Sequence, residues 1–360
     1  MKIDGALGTL EQATRNARAA QDVGYDGVWA SEVNQDPFLP LTLAADATST
    51  IELGTSIAVA LSRSPMSLAY TAHDLQRFSG GRFVLGLGSQ VKAHITRRFS
   101  MPWGRPGPQM REFILAMRAA WSSWTDGTPL SFEGEYYRHT LMPPTFVPAP
   151  HPYGPPRVLL AGVGDVMTRV AGEVADGFLC HGFTTARWIR EHTLPALAEG
   201  RRRAGGDLTG FDVVAGAFLA TGTEQEIVEG LATIRGQISF YGSTPAYRPV
   251  LELHGWGDLG AELTVLSKQN RWAEMATLID DDVVEAFAVV APPAEVPARI
   301  AERFAGLATR LSFTPPPSFG AGEVREMVSA IRAVPALGAV PALGAVPALG
   351  ADPETSGAAR

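Results

Sequence analysis

Cysteine occurs once in 360 residues, as Cys180, so neither a disulfide within the chain nor a cysteine-rich zinc site can form. A reducing, cytoplasmic setting is the simplest expectation. Histidine is sparse as well. His73, His94, His139, His151, His181, His192 and His254 make no His-x-His pair and no His-Glu-x-x-His motif, and no metal site is expected. Also missing are Gly-x-Ser-x-Gly, the nucleophile turn of a serine hydrolase, and the Gly-x-x-x-x-Gly-Lys-Ser/Thr loop of an NTPase. The N-terminus has no basic head leading into an apolar core, so no signal peptide is expected. The longest uncharged apolar stretch, Ala333 to Gly350, carries a proline in every AVPALG repeat and does not suit a membrane helix. Basic residues are outnumbered, 30 Lys and Arg against 37 Asp and Glu, and a net charge of −7 argues against a nucleic-acid partner.

What is present is an ordinary globular composition, 46% hydrophobic and 19% charged. Short apolar runs alternate with amphipathic stretches. Strands are predicted from Lys2 to Leu7, Asp26 to Ala30, Glu52 to Ala60, Arg82 to Leu87, Arg157 to Ala161, Gly177 to Cys180, Phe211 to Ala220 and Arg310 to Phe313. Helical spacing fills the intervals. Met110, Phe113, Ile114, Met117, Trp121 and Trp124 form one core stripe, and Ser64-Pro65 is a helix start. Eight such units predict a (β/α)8 TIM barrel over residues 1–332, with insertions at the C-terminal strand ends. A doubly wound sheet would show the same alternation. The main insertion, 242–282, reads as mostly helical, and 333–360 as a disordered low-complexity tail. An internal echo favours the barrel. Gly24-Tyr-Asp-Gly-Val-Trp29 and Val174-Ala-Asp-Gly-Phe-Leu179 repeat one device in units two and six. Asp26 and Asp176 stand at the amino ends of their strands, so they belong to the bottom of the barrel, where stability is decided.

Chemistry belongs at the opposite face, beyond the carboxyl ends of the strands. There Gly162-Val163-Gly164 joins a strand to a helix near Asp165, and small residues let a phosphate reach free N–H groups at the helix start. Asp165 opposes an anion there unless it points away. Neither Gly86-Leu87-Gly88 nor this turn has the third glycine of a dinucleotide fingerprint. After Gly88-Ser89-Gln90 come Lys92, His94, Arg97 and Arg98, a basic cluster in an acidic chain. It suits an anionic cofactor tail or substrate, a solvated loop or a subunit contact.

Read in order, these segments resemble the luciferase-like monooxygenase superfamily, and most of all its coenzyme F420-dependent (deazaflavin) oxidoreductases. The resemblance is carried by Gly24 to Trp29, Leu53-Gly-Thr-Ser56 with Ser64-Pro65, Phe78-Ser-Gly-Gly-Arg-Phe83, Leu85 to His94, Arg97-Arg98-Phe99, Gly134-Glu-Tyr-Tyr137 and Val174 to Gly177. It implies a flavin-like ring bound at the strand ends, backed by a non-prolyl cis peptide near Ser56-Ile57. It implies cofactor contacts from Ser31, Ser56, Ile57, Gly88, Ser89, Gln90 and Lys92, with phosphate on Gly162, Val163 and Gly164. Many relatives carry a histidine at the end of the second strand, where this chain reads Ser31-Glu32-Val33-Asn34. Proton transfer would then fall to Glu32 or His94. The implied activity is hydride transfer between deazaflavin C5 and a small organic substrate, in a homodimer. The alternatives are an FMN-dependent monooxygenase and a flavin-binding barrel without turnover. Substrate would meet the loop after strand two, the arm at Tyr136-Tyr137 and the insertion, where Tyr247 and Trp256 either form an apolar lid or pack the insertion down.

Overall fold

The computed structural model describes residues 1–337, so most of the repeat tail expected from Ala333 onward lies outside the described residues. The eight expected strands are β1 (Lys2–Ala6), β2 (Gly27–Ala30), β3 (Glu52–Thr55), β4 (Phe83–Gly88), β5 (Arg157–Gly162), β6 (Gly177–Cys180), β7 (Asp212–Gly216) and β8 (Arg310–Ser312). Each pairs in parallel with the next, and β8 returns to β1 in the register Lys2 to Arg310, closing a (β/α)8 barrel. Helices wrap it. Ala13–Val23 buries Ala13, Ala17, Ala20 and Val23 and stops at Gly24 in the left-handed region. Ser64 caps Pro65–Phe78 by accepting the Ser67 N–H. Pro106–Asp126 turns its six-residue stripe inward.

The barrel interior has two layers. In the middle, Trp29, Val84, Leu159, Leu179 and Val214 pack together. Nearer the bottom, Arg310 and Asp4 are both fully buried and doubly bonded, at 2.9 and 2.7 Å, and Arg310 also pairs with Glu52. Burial pushes the Asp4 carboxyl up, against the pull of Arg310. Burial opposes the Glu52 charge too, but Arg310 and Lys2 hold its carboxyl below the usual range. Two aspartates brace the base of the barrel identically. Asp26 accepts the N–H of Ile3 in β1, and Asp176 that of Val158 in β5, each at 2.8 Å. Arginines from outer helices, Arg332 and Arg118, complete the two braces.

Two expected strands are interrupted. The third breaks at a cis Ser56–Ile57 peptide and resumes as Ala58–Val59 against β4. The seventh leaves the ring after Gly216, and Phe218–Ala220 pairs instead with Ala288–Val290. That second strand is only three residues long and follows a helix, Asp281–Phe287, directly. A run so short carries no period of its own. The insertion buries Leu251, Leu263 and Met275 in a second core that also holds Ile238, Phe287 and Phe183 from the elements around it. The C-terminal helix ends at Ala333, and Pro335–Leu337 makes one further turn with Leu337 buried.

Candidate active site

The exits of β2 and β3 build one platform. Ser31 Oγ donates to the Ser56 carbonyl at 2.8 Å, and Glu32 N–H donates to that of Ile57 at 3.1 Å. Both carbonyls flanking the break are thus held from β2. The Glu32 carboxylate accepts the Val59 N–H at 2.7 Å and the Arg63 guanidinium at 2.6 Å, and Arg63 also reaches Asp36. With its side chain buried between these donors, Glu32 holds the platform in shape. Ile57 packs onto the layer around Trp29. Gly88 of β4 makes room for it, because a Cβ there would lie 2.9 Å from Ile57 Cδ1.

Beyond β4 the chain turns sharply. Gln90 has φ +60°, its side chain accepts the Val91 N–H at 2.9 Å, and Ser89 donates to the Gln90 carbonyl. The basic cluster follows, with His94–Arg98 forming a single wide helical turn. Lys92, His94 and Arg97 are exposed, and none is in an ion pair among the described residues. Arg98 is committed elsewhere. It donates to the Val33 carbonyl at 2.7 Å and lies over the Phe99 ring. The four residues of the basic cluster therefore divide, one tying two loops together and the others facing solvent.

β5 lies beside β4 and ends at Gly162. Gly164 starts the ten-residue helix Asp165–Val174 in extended backbone, and no side chain caps it. Its first N–H groups are left for a ligand or water. A Cβ on Gly164 would meet nothing within 4 Å, whereas one on Gly162 would strike Met167 at 2.7 Å. Gly162 is a packing glycine, and Gly164 leaves open space. Asp165 is exposed in the first turn. A groove of about 750 Å³ runs past this turn, bordered by Gly107, Val163, Met167, His192 and Ala246.

The exits of β6 to β8 surround a second cavity, of about 790 Å³, lined by Gly182, Gly216, Phe218, Thr221, Phe313 and Thr314. Burial pushes the Cys180 thiol at the end of β6 up to about 12, which keeps it protonated near pH 7. The next residue, His181, is held down to about 4 by burial. It is hydrogen-bonded to Tyr247 of the insertion. The sequence predicts a strand over Gly177 to Cys180 and assigns no role to His181, the residue that follows it. The signal available was its position directly after β6; its partner is 66 positions away.

The sequence profile of the luciferase-like monooxygenases matches residues 2–310. An uncharacterized protein of Mycobacterium tuberculosis is 49% identical over 313 residues, covering 86% of this chain and 92% of that one. The 5,10-methylenetetrahydromethanopterin reductase of Archaeoglobus fulgidus is 26% identical over 293 residues, covering 79% and 83%. Among solved structures, the coenzyme F420-dependent tetrahydromethanopterin reductase of Methanopyrus kandleri superposes with a TM-score of 0.76 at 21% identity, covering 92% and 98%. The oxygenating constituent of 3,6-diketocamphane monooxygenase from Pseudomonas putida, solved with FMN, superposes at 0.63 and 17%, covering 89% and 91%.

Proposed function

Because the chain belongs to the luciferase-like monooxygenase family, we propose that it is a coenzyme F420-dependent oxidoreductase moving a hydride to or from a small organic substrate. The observation that carries this reading is the uncapped helix start at Gly164, next to a strand exit that presents exposed Lys92 and Arg97, neither in an ion pair among the described residues. The cofactor's phosphate fits the open space at Gly164, where free N–H groups and the helix dipole favour an anion. Its anionic glutamyl tail suits Lys92 and Arg97. The Ser56–Ile57 platform would back the ring, held by Ser31 and Glu32, with Ser89 and Gln90 at its edge.

When bound, the deazaflavin supplies a two-electron hydride carrier. The chain's own part is to orient donor and acceptor and to keep water off the reacting atoms. The similarity to methylenetetrahydromethanopterin reductases supports the reductive direction. FMN is the competing cofactor. It would use the same glycine turn, but it has no glutamyl tail to engage Lys92 and Arg97.

Fluorescence titration of the purified protein with both oxidised cofactors decides between them. F420 is expected to bind more tightly than FMN, and Lys92→Ala with Arg97→Ala to weaken F420 alone, most clearly at low salt. FMN binding as tightly as F420, or a double variant with unchanged F420 affinity, refutes the assignment.

A further inference from the structure

The seam between β2 and β3 is closed in two different ways. As far as Ala30 and Thr55 the strands pair through their backbones. Beyond the interruption, Ala58–Val59 still pairs with β4, in the register Val59 to Gly88, but β2 has already ended. There two side chains take the place of a strand. Glu32 Oε2 accepts the Val59 N–H at 2.7 Å, and Arg63 Nη1 donates to the Val59 carbonyl at 3.1 Å. The acceptor and the donor pair with each other at 2.6 Å. A neighbouring strand would offer the same acceptor and donor from its backbone. Here they come from an ion pair.

Arg63 is fixed from behind as well. Its Nη2 reaches Asp36 at 3.1 Å, and its guanidinium lies 5.4 Å from the centroid of the Phe38 ring. Asp36 accepts the Phe38 N–H at 2.8 Å, at the start of the helix Phe38–Ala47. The side chains of Glu32 and Arg63 are 7% and 21% exposed, so water screens their attraction little. Glu32 also donates its own N–H to the Ile57 carbonyl. It therefore grips the chain at Ile57 and at Val59, and a shift of Glu32 moves both.

We propose that Arg63 is a positioning residue for the cofactor ring, acting through Glu32. The assignment rests on the deazaflavin reading, in which the Ser56–Ile57 platform backs the ring. Glu32 is then a clamp and not the proton-transfer group that its place after β2 suggests. Without the guanidinium, Glu32 would keep a buried charge with the Val59 N–H as its remaining donor among the described residues. Such a charge is costly, and turning toward water relieves it. The turn releases Val59 and loosens the N–H that holds the Ile57 carbonyl. A platform that the ligand itself must order costs affinity. The loss belongs to the ring, because the Gly164 turn, Lys92 and Arg97 share no hydrogen bond with this network among the described residues.

Fluorescence titration of the full-length protein with two probes tests this. One is oxidised F420. The other is its deazariboflavin fragment, which keeps the ring and ribityl chain and lacks phosphate and tail. Arg63→Met is expected to weaken both by the same factor, about tenfold, as losing a partner behind a ligand-holding group does at metal sites. Glu32→Gln keeps an acceptor for the Val59 N–H, so it should bind the fragment more tightly than Glu32→Ala. That comparison reads the same seam if Arg63→Met fails to fold. A merely structural pair would lower the melting temperature and leave both affinities in place, which overturns the assignment. So does a loss for F420 that the fragment does not share, or Glu32→Gln binding the fragment no better than Glu32→Ala. Failure of the deazaflavin reading itself is told apart, because the unaltered protein then binds neither probe.

Discussion

His181 makes the stability of this protein depend on pH in a predictable direction. Burial lowers its pKa from 6.5 to about 4, while an unfolded chain would keep the ordinary value. Between those limits the unfolded state binds the extra proton, so acid favours unfolding. The contribution is whole above pH 6.5 and lost as the pH falls toward 4, a change on the order of 3 kcal/mol. His181→Phe should therefore flatten the decline of the urea midpoint across that window. His139, His151 and His254 are also held low by burial and will leave a residual slope. An undiminished slope in the variant would show that His181 titrates normally. Asp4 poses a different residue-scale question. Asp4→Ala leaves Arg310 fully buried with Glu52 as its remaining close partner, and losing one member of such a pair typically costs about 3–5 kcal/mol. Denaturant unfolding should show a loss of that size. A loss below about 1 kcal/mol, the range of an exposed pair, would mean that water reaches the bottom of the barrel.

At the scale of elements, the turn from β5 into its helix separates two roles that look alike in the sequence. Gly162-Val163-Gly164 reads as a symmetrical glycine turn, yet only the second glycine faces open space. Gly164 has φ −101°, which any residue adopts, so Gly164→Val should fold as the parent does and lose cofactor binding. Gly162→Val must displace Met167 and should cost about 1–3 kcal/mol of stability. Thermal unfolding paired with cofactor titration reads both. Unimpaired binding in Gly164→Val would place the phosphate elsewhere. This is also where sequence reading reaches its limit. The eight strands were legible because each is a short apolar run between breakers, and the Asp26 and Asp176 braces because the same dipeptide precedes two strands. The cis peptide was legible only through the family resemblance, since nothing in Ser56-Ile57 itself marks it. Glu32 bonded to Arg63, Arg98 to Val33 and His181 to Tyr247 were not legible. Such pairings join residues far apart in the chain and follow from barrel closure rather than from any local period.

For the whole molecule, the fold continues past the point where the composition changes. The repeats begin at Ala333, and a compositional reading cuts the chain there. In the structure Ala333 is still helical, and Leu337, from the first repeat, is 4% exposed in the main core. Burying a leucine is worth about 1.5–3 kcal/mol, so this first repeat contributes to the fold. The later repeats carry the same Leu but no side chain larger than it, and small residues alone recover little against the entropy of ordering them. Two truncations therefore separate the two cases. Removing residues 338–360 should leave the melting temperature and F420 binding unchanged. Removing residues 333–360 should lower the melting temperature by a few degrees, because it exposes the pocket that Leu337 fills, and Leu337→Ala in the full chain should reproduce most of that drop. Equal melting temperatures for the two truncations would show that the first repeat is as dispensable as the rest. A drop already present in the shorter truncation would show that the later repeats also dock on the barrel.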